Sequence, residues 1–214
     1  MRLTTRSLRA AATAAVAGAA ALTMTAIGAA QADDAGVRVA RQAGEAPPAQ
    51  PDAAPYALLE AGDLPPAPTP WTAGPVTDGS GGERFCVGTR VPDTGSVHRD
   101  FFTELDTSAD QTVHEAATVR DARRLTAELR DAVEHCAERL AEQYPGATVR
   151  ERDHGRFHAI QTEMPGSSRD VNLVGVARSG RFVTVVQWGQ MGPMESAPVG
   201  DFRDTLRTAA HKLR

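Results

Sequence analysis

The chain has 214 residues, with 27 acidic against 23 basic side chains, a formal net charge of −4 and a 41% hydrophobic share. That share is enough for a buried core, while the acidic balance argues against nucleic acid as the main partner, since phosphate binding needs a concentrated excess of Lys and Arg.

The first residues carry Arg2, Arg6 and Arg9 without an acid, followed by the apolar, alanine-rich stretch 10–30 and then Ala30-Gln31-Ala32 before Asp33. This order of basic, apolar and small residues predicts a secretory signal peptide over 1–32 and a mature chain from Asp33. Alanine, threonine and glycine dominate the stretch, which suits a cleaved signal better than a retained anchor, and no cysteine follows it to accept a lipid. The expectation is a secreted, extracellular protein without stable membrane insertion after cleavage. Residues 33–55 are rich in Ala, Pro, Gln and Gly, with almost no large apolar side chain after Val39, and read as a disordered stalk.

Residues 56–214 read as a single domain. Residues 55–62 suggest a short docking helix ended by Asp63-Leu64-Pro65-Pro66. A proline-punctuated segment with Trp71 as an anchor follows, and 77–83 reads as a turn. Arg84 to Gly88 reads as a strand, 93–110 as a short helix or loop of poor periodicity, and Gln111 to Val119 as a second strand, with Asp121 capping the next element. Leu125, Leu129, Val133, Cys136 and Leu140 step by four, four, three and four, which predicts a helix over 121–144 stopped by Pro145-Gly146. Ala147 to Arg152 and Phe157 to Met164 read as strands around Asp153-His154-Gly155. Val171 to Arg178 and Phe182 to Trp188, joined through Ser179-Gly180, give the strongest hairpin signal. Val199, Phe202, Leu206, Ala210 and Leu213 share one face of a terminal helix. Consecutive hairpins between amphipathic helices predict an α+β fold with helices packed on an antiparallel sheet.

The two cysteines, Cys86 and Cys136, are expected to pair, as befits an exported protein. Two buried free thiols are the alternative, and a metal pair is disfavoured because neither has a partner cysteine at ligand spacing. The order Leu58-Leu59-Glu-Ala-Gly-Asp63-Leu64-Pro65, then Cys86-Val-Gly, then Thr112-Val-His-Glu-Ala-Ala-Thr-Val119 running into Asp121-Ala122 and a helix with Cys136, resembles the PknH-type extracellular sensor domain of actinobacteria. The alanine content and a single lysine, Lys212, fit such a GC-rich source. The resemblance implies a twisted antiparallel sheet with helices and a cleft for an extracellular ligand. The chain departs from the kinase members of that family in lacking their further disulfide and a kinase segment.

No catalytic motif stands out. His154 and His158 have the spacing of a helical zinc pair, but Gly155 breaks the helix that such a pair needs, so a hairpin with two polar side chains is expected instead. Asp78-Gly79-Ser80-Gly81-Gly82 lacks the register of a nucleophile elbow. No catalytic residue, metal or cofactor is assigned. The candidate ligand-binding residues are Trp71, Trp188, Met191 and Met194, aromatic and adaptable side chains in Gly/Pro-rich connections. The expectation is a non-catalytic, sensor-like domain for a small molecule, a cell-wall fragment or a protein. The alternatives are a hydrolase assembled only in the fold, or a protease inhibitor presenting the loop Gly192 to Pro198.

Overall fold

The structure, a computed structural model, describes residues 56–214. The expected signal peptide and stalk lie outside the described residues. Strands β1 (Thr72–Ala73), β2 (Thr77–Asp78), β3 (Ser96–Phe102), β4 (Ser108–Glu115), β5 (Thr148–Asp153), β6 (Phe157–Glu163), β7 (Arg169–Ser179) and β8 (Phe182–Met191) form one antiparallel sheet. Its order is β1-β3-β4-β8-β7-β6-β5, with β2 also pairing with β3. Helices α1 (Val119–Glu134), α2 (Cys136–Gln143) and α3 (Val199–Lys212) complete the α+β fold.

The β7–β8 hairpin is the spine of the sheet, in unbroken register from Ser179↔Phe182 to Asp170↔Met191. Gly180 makes its tight turn possible by adopting φ +53°. Side chains alternate across the sheet. Val171, Leu173, Val186 and Trp188 face a cluster with Phe202, Leu206 and Ala209 of α3. Val174, Val176, Val183 and Val185 face Ala122, Leu125, Leu129 and Val133 of α1. Covering both faces explains why these strands read as continuous apolar runs rather than as an alternation. Each fully buried Leu or Phe stabilises the fold by about 1.5–3 kcal/mol.

Several local expectations need correction. Residues 57–60 are extended rather than helical, and only Ala61–Asp63 makes a turn of 3-10 helix. Adjacent Leu58 and Leu59 are both buried, which an extended chain achieves by pointing them to opposite sides. The backbone of Leu59 is held by side chains from the sheet: its N–H donates to Gln111 Oε1 at 2.6 Å and its carbonyl accepts from Arg99 at 3.0 Å. Residues 84–88 form a tight turn, not a strand, closed by Gly88 N–H to the Arg84 carbonyl at 2.7 Å. Within 93–110 lies β3, hidden from the sequence because His98, Arg99 and Asp100 at its centre break the apolar pattern. Thr118, rather than Asp121, caps α1, its Oγ1 accepting from Asp121 N–H at 3.1 Å.

The expected long helix is two helices broken at His135. The Ala132 carbonyl, which an unbroken helix would offer to Cys136 N–H, instead accepts from Arg139, and the same Arg139 nitrogen reaches the Cys86 carbonyl. The break therefore sits where Cys136 is bonded to Cys86, with their Cα atoms 5.1 Å apart. This disulfide ties the 84–88 turn to the helical layer. Among the described residues, no helix is long and apolar enough to cross a membrane.

Candidate functional site

The residues first singled out do not form one cleft. Trp188 and Met194 are 2% and 5% exposed, inside the α3-side core, and Trp71 packs against the same cluster while its Nε1 donates to the Pro65 carbonyl at 2.7 Å. Met191 instead points outward, 54% exposed. Gly192 to Pro198 is not a projecting loop. It folds into a 3-10 turn, Met194–Ser196, with Gly192 N–H on the Arg169 carbonyl at 2.7 Å and Met194 N–H on Gln161 Oε1 at 2.7 Å.

The strongest convergence of chemistry lies at the β5–β6 turn. His154 N–H donates to the Phe157 carbonyl at 3.0 Å and Gly155 N–H to Asp153 Oδ1 at 2.6 Å. Gly155 takes φ +81°, a conformation that only a residue without Cβ adopts readily. This tight turn brings His154 and Arg156 beside α3. There they meet Arg203, Leu206 and Arg207 around a cavity of about 470 Å³ floored by Phe157.

The floor is rigid. Phe157 is 1% exposed and meets Phe202 edge-on at 5.1 Å. The His154 ring stacks on Phe157 with centroids 4.9 Å apart and planes at 19°, and the Arg203 guanidinium lies 5.9 Å from the Phe157 centroid. His154 Nε2 is out of water without a hydrogen-bond partner. Burial first, and the Arg203 charge second, hold the imidazole below its usual pKa of 6.5.

What the arginines are bonded to separates this cavity from another of about 510 Å³ beside the disulfide. There Arg84 pairs with Asp100 at 3.1 Å, Arg90 donates to the Val87 carbonyl at 3.0 Å, and Arg139 holds the Cys86 and Ala132 carbonyls. Those cations secure the 84–88 turn. At the β5–β6 turn, Arg207 pairs with Asp204 at 2.9 Å, whereas neither Arg156 nor Arg203 has a carboxylate within 4 Å among the described residues. Guanidinium groups in this state present bidentate donors to an incoming oxyanion.

His158 does not share this site with His154. It sits in β6, where its Nδ1 bonds Glu151 and its Nε2 lies 3.7 Å from Asp153. Among the described residues, no group of three or more His, Cys, Asp or Glu side chains is arranged to hold a metal ion. The sharpest titratable anomaly is Asp110 on β4. Burial raises its pKa from 3.8 to about 6, against the opposing charge of Arg84 at 3.6 Å, with Asp100 and His98 nearby. It does not line the cavity next to Arg84, and it contributes to the packing of Arg84 on the sheet.

Sequence reasoning missed Arg156, Arg203 and Arg207. Arg203 and Arg207 are four apart on a helix and Arg156 adjoins a glycine turn, but nothing in the sequence says that the turn and the helix meet. No protein-family profile matches the chain, and no curated protein matches it in sequence.

Proposed function

We propose that this chain is a secreted, non-catalytic, sensor-like module that binds an anionic small molecule or cell-wall fragment at the cavity between the β5–β6 turn and α3. The observation that carries this reading is the pair Arg156 and Arg203, without carboxylate partners, flanking a buried, unpartnered His154 nitrogen on an aromatic floor, in a chain that is acidic overall. An oxyanion here would meet the imidazole and two solvent-facing guanidinium groups at once, with the aromatic floor beneath it. The resemblance to PknH-type sensor domains accords with ligand capture outside the cell, and the Cys86–Cys136 bond suits an oxidising compartment.

The test is a thermal-shift and calorimetric comparison of orthophosphate, pyrophosphate and citrate with neutral cell-wall saccharides, on the wild type and Arg203→Gln. Anions should raise the melting temperature of the wild type, with about 2.7 kcal/mol of added stability at a hundred times Kd, and fail to do so in Arg203→Gln. Stabilisation by neutral saccharides alone, or hydrolytic turnover lost in His154→Asn, would contradict the reading. N-terminal sequencing of protein from culture medium should begin at or near Asp33, and recovery only in membranes would contradict export.

A further inference from the structure

We propose that the anion site continues through a notch at the end of the sheet, so that its ligand is a linear chain bearing several oxyanion groups rather than a single small anion. The inference rests on the anion-binding reading above and extends it. β6 begins at Phe157 opposite Gly175, whereas β7 runs on to Ser179, so Val176 to Ser179 have no β6 residue beside them. This leaves a notch where the layers on the two faces of the sheet approach each other. A second cavity of about 360 Å³ occupies it, lined by Thr126 and Arg130 of α1, Arg178 of β7 and Ala210 of α3, and Arg156 lines both cavities. Arg156 therefore stands between the two, where a ligand passing from one cavity to the other around the sheet end would meet it.

Four of the charges along this track are uncompensated, while Arg207 pairs with Asp204. Arg130 donates to the Val176 carbonyl at 3.4 Å and Arg178 to the Gly180 carbonyl at 2.5 Å, contacts that position the side chains without neutralising them. Among the described residues, none of Arg130, Arg156, Arg178 and Arg203 has a carboxylate within 4 Å, although arginines elsewhere on the sheet, such as Arg99, Arg169 and Arg181, are paired. Like charges gathered from α1, β7, α3 and a turn repel one another, which is unfavourable until a counter-charge arrives. A monoanion can occupy one cavity only. A chain with oxyanions at successive units places one group against Arg156 and Arg203 and the next against Arg130 and Arg178, joining two weak sites through a short linker.

The test measures binding to purified protein of orthophosphate, linear polyphosphates of increasing length and poly-L-glutamate, for the wild type, Arg130→Gln/Arg178→Gln, Arg178→Gln alone and Arg203→Gln. Melting temperatures check that each variant is folded, and Arg178→Gln, which loses only a contact to a turn carbonyl, covers the case in which the double variant is not. Wild-type affinity should rise at least tenfold from orthophosphate to long polyphosphate, with a steeper salt dependence for the chain. Both Arg178 variants should lose most of that gain while keeping orthophosphate affinity, and Arg203→Gln should weaken both ligands. Equal gains with poly-L-glutamate would assign the ligand to oxyanion chains in general, and a gain confined to polyphosphate would assign it to phosphate chains. Arg203-dependent orthophosphate binding with no gain from chain length would overturn the continuous track and leave the small-anion site standing. Absence of binding by every anion would overturn both.

Discussion

Replacing Asp110 by Asn should remove a pH dependence built into the packing of the 84–88 turn. The Asp110 side chain is largely buried, its Oδ1 out of water, with Arg84 and then His98 favouring its ionisation and the Asp100 charge opposing it, and its pKa is raised from 3.8 to about 6. Because the folded value lies above the unfolded one, the stability that Asp110 contributes is fully present below the unfolded pKa and is lost as pH rises through the folded pKa. A shift of about two units corresponds to roughly 3 kcal/mol between acid and neutral pH. Asn has the shape of the protonated acid and does not titrate. Arg84 also pairs with Asp100 at 3.1 Å and donates to the Ser80 carbonyl at 3.2 Å, contacts that do not require the Asp110 charge. Urea denaturation of both proteins from pH 4 to pH 8 isolates the effect, because other groups titrate alike in each. The stability of Asp110→Asn relative to wild type should climb by about 2–3 kcal/mol across that range, mostly between pH 4 and pH 6, and level off above it. A difference that stays flat with pH would refute the assigned burial and the cause given for the shift.

Other perturbations probe the frame that carries the site. Replacing both Cys86 and Cys136 by Ser should lower stability by about 4 kcal/mol in the chain-entropy model for a closure of 50 residues, measured by chemical denaturation against the oxidised wild type. Leu129→Ala, at a fully buried position of α1, should cost about 2–5 kcal/mol in the same assay, and a near-neutral result would mean that the α1 layer is misplaced. In Gly175→Ala, the new Cβ would stand 2.7 Å from Leu206 and 3.2 Å from Phe157, so overpacking should cost about 1–3 kcal/mol and weaken anion binding by shifting α3 away from the β5–β6 turn. Unchanged affinity in Gly175→Ala would show that the cavity does not depend on that packing.

The parts of the fold legible in the sequence are those where local pattern and tertiary role agree. β7, β8, β6 and the apolar faces of α1 and α3 are written in runs and periods that a two-sided core demands, and the pairing of Cys86 with Cys136 follows from the expectation of export and a count of two. β3 was not legible, because His98, Arg99 and Asp100 are accommodated by partners distant in sequence, Arg99 by Leu59 and Glu60 and Asp100 by Arg84. The 84–88 turn resembled a strand because Phe85 and Val87 pack inward, yet Arg84 and Gly88 pair with each other. The site was less legible still. Trp188 and Met194 drew notice by residue type but serve the core, whereas the arginines of the cavity come from a turn and a helix about fifty residues apart and look like ordinary surface charges in one dimension.

The central claim, that the cavity at the β5–β6 turn holds an anion, is tested most directly by the NMR titration of His154 with and without inorganic phosphate. In the free protein, burial and the charges of Arg203, Arg152 and His158 hold its pKa below 6.5, with Asp153 alone opposing them. Bound phosphate should raise that pKa, so that affinity increases as pH falls and protons are taken up on binding, and Arg203→Gln should abolish the phosphate effect. A His154 titration curve that saturating phosphate leaves unmoved would contradict the account.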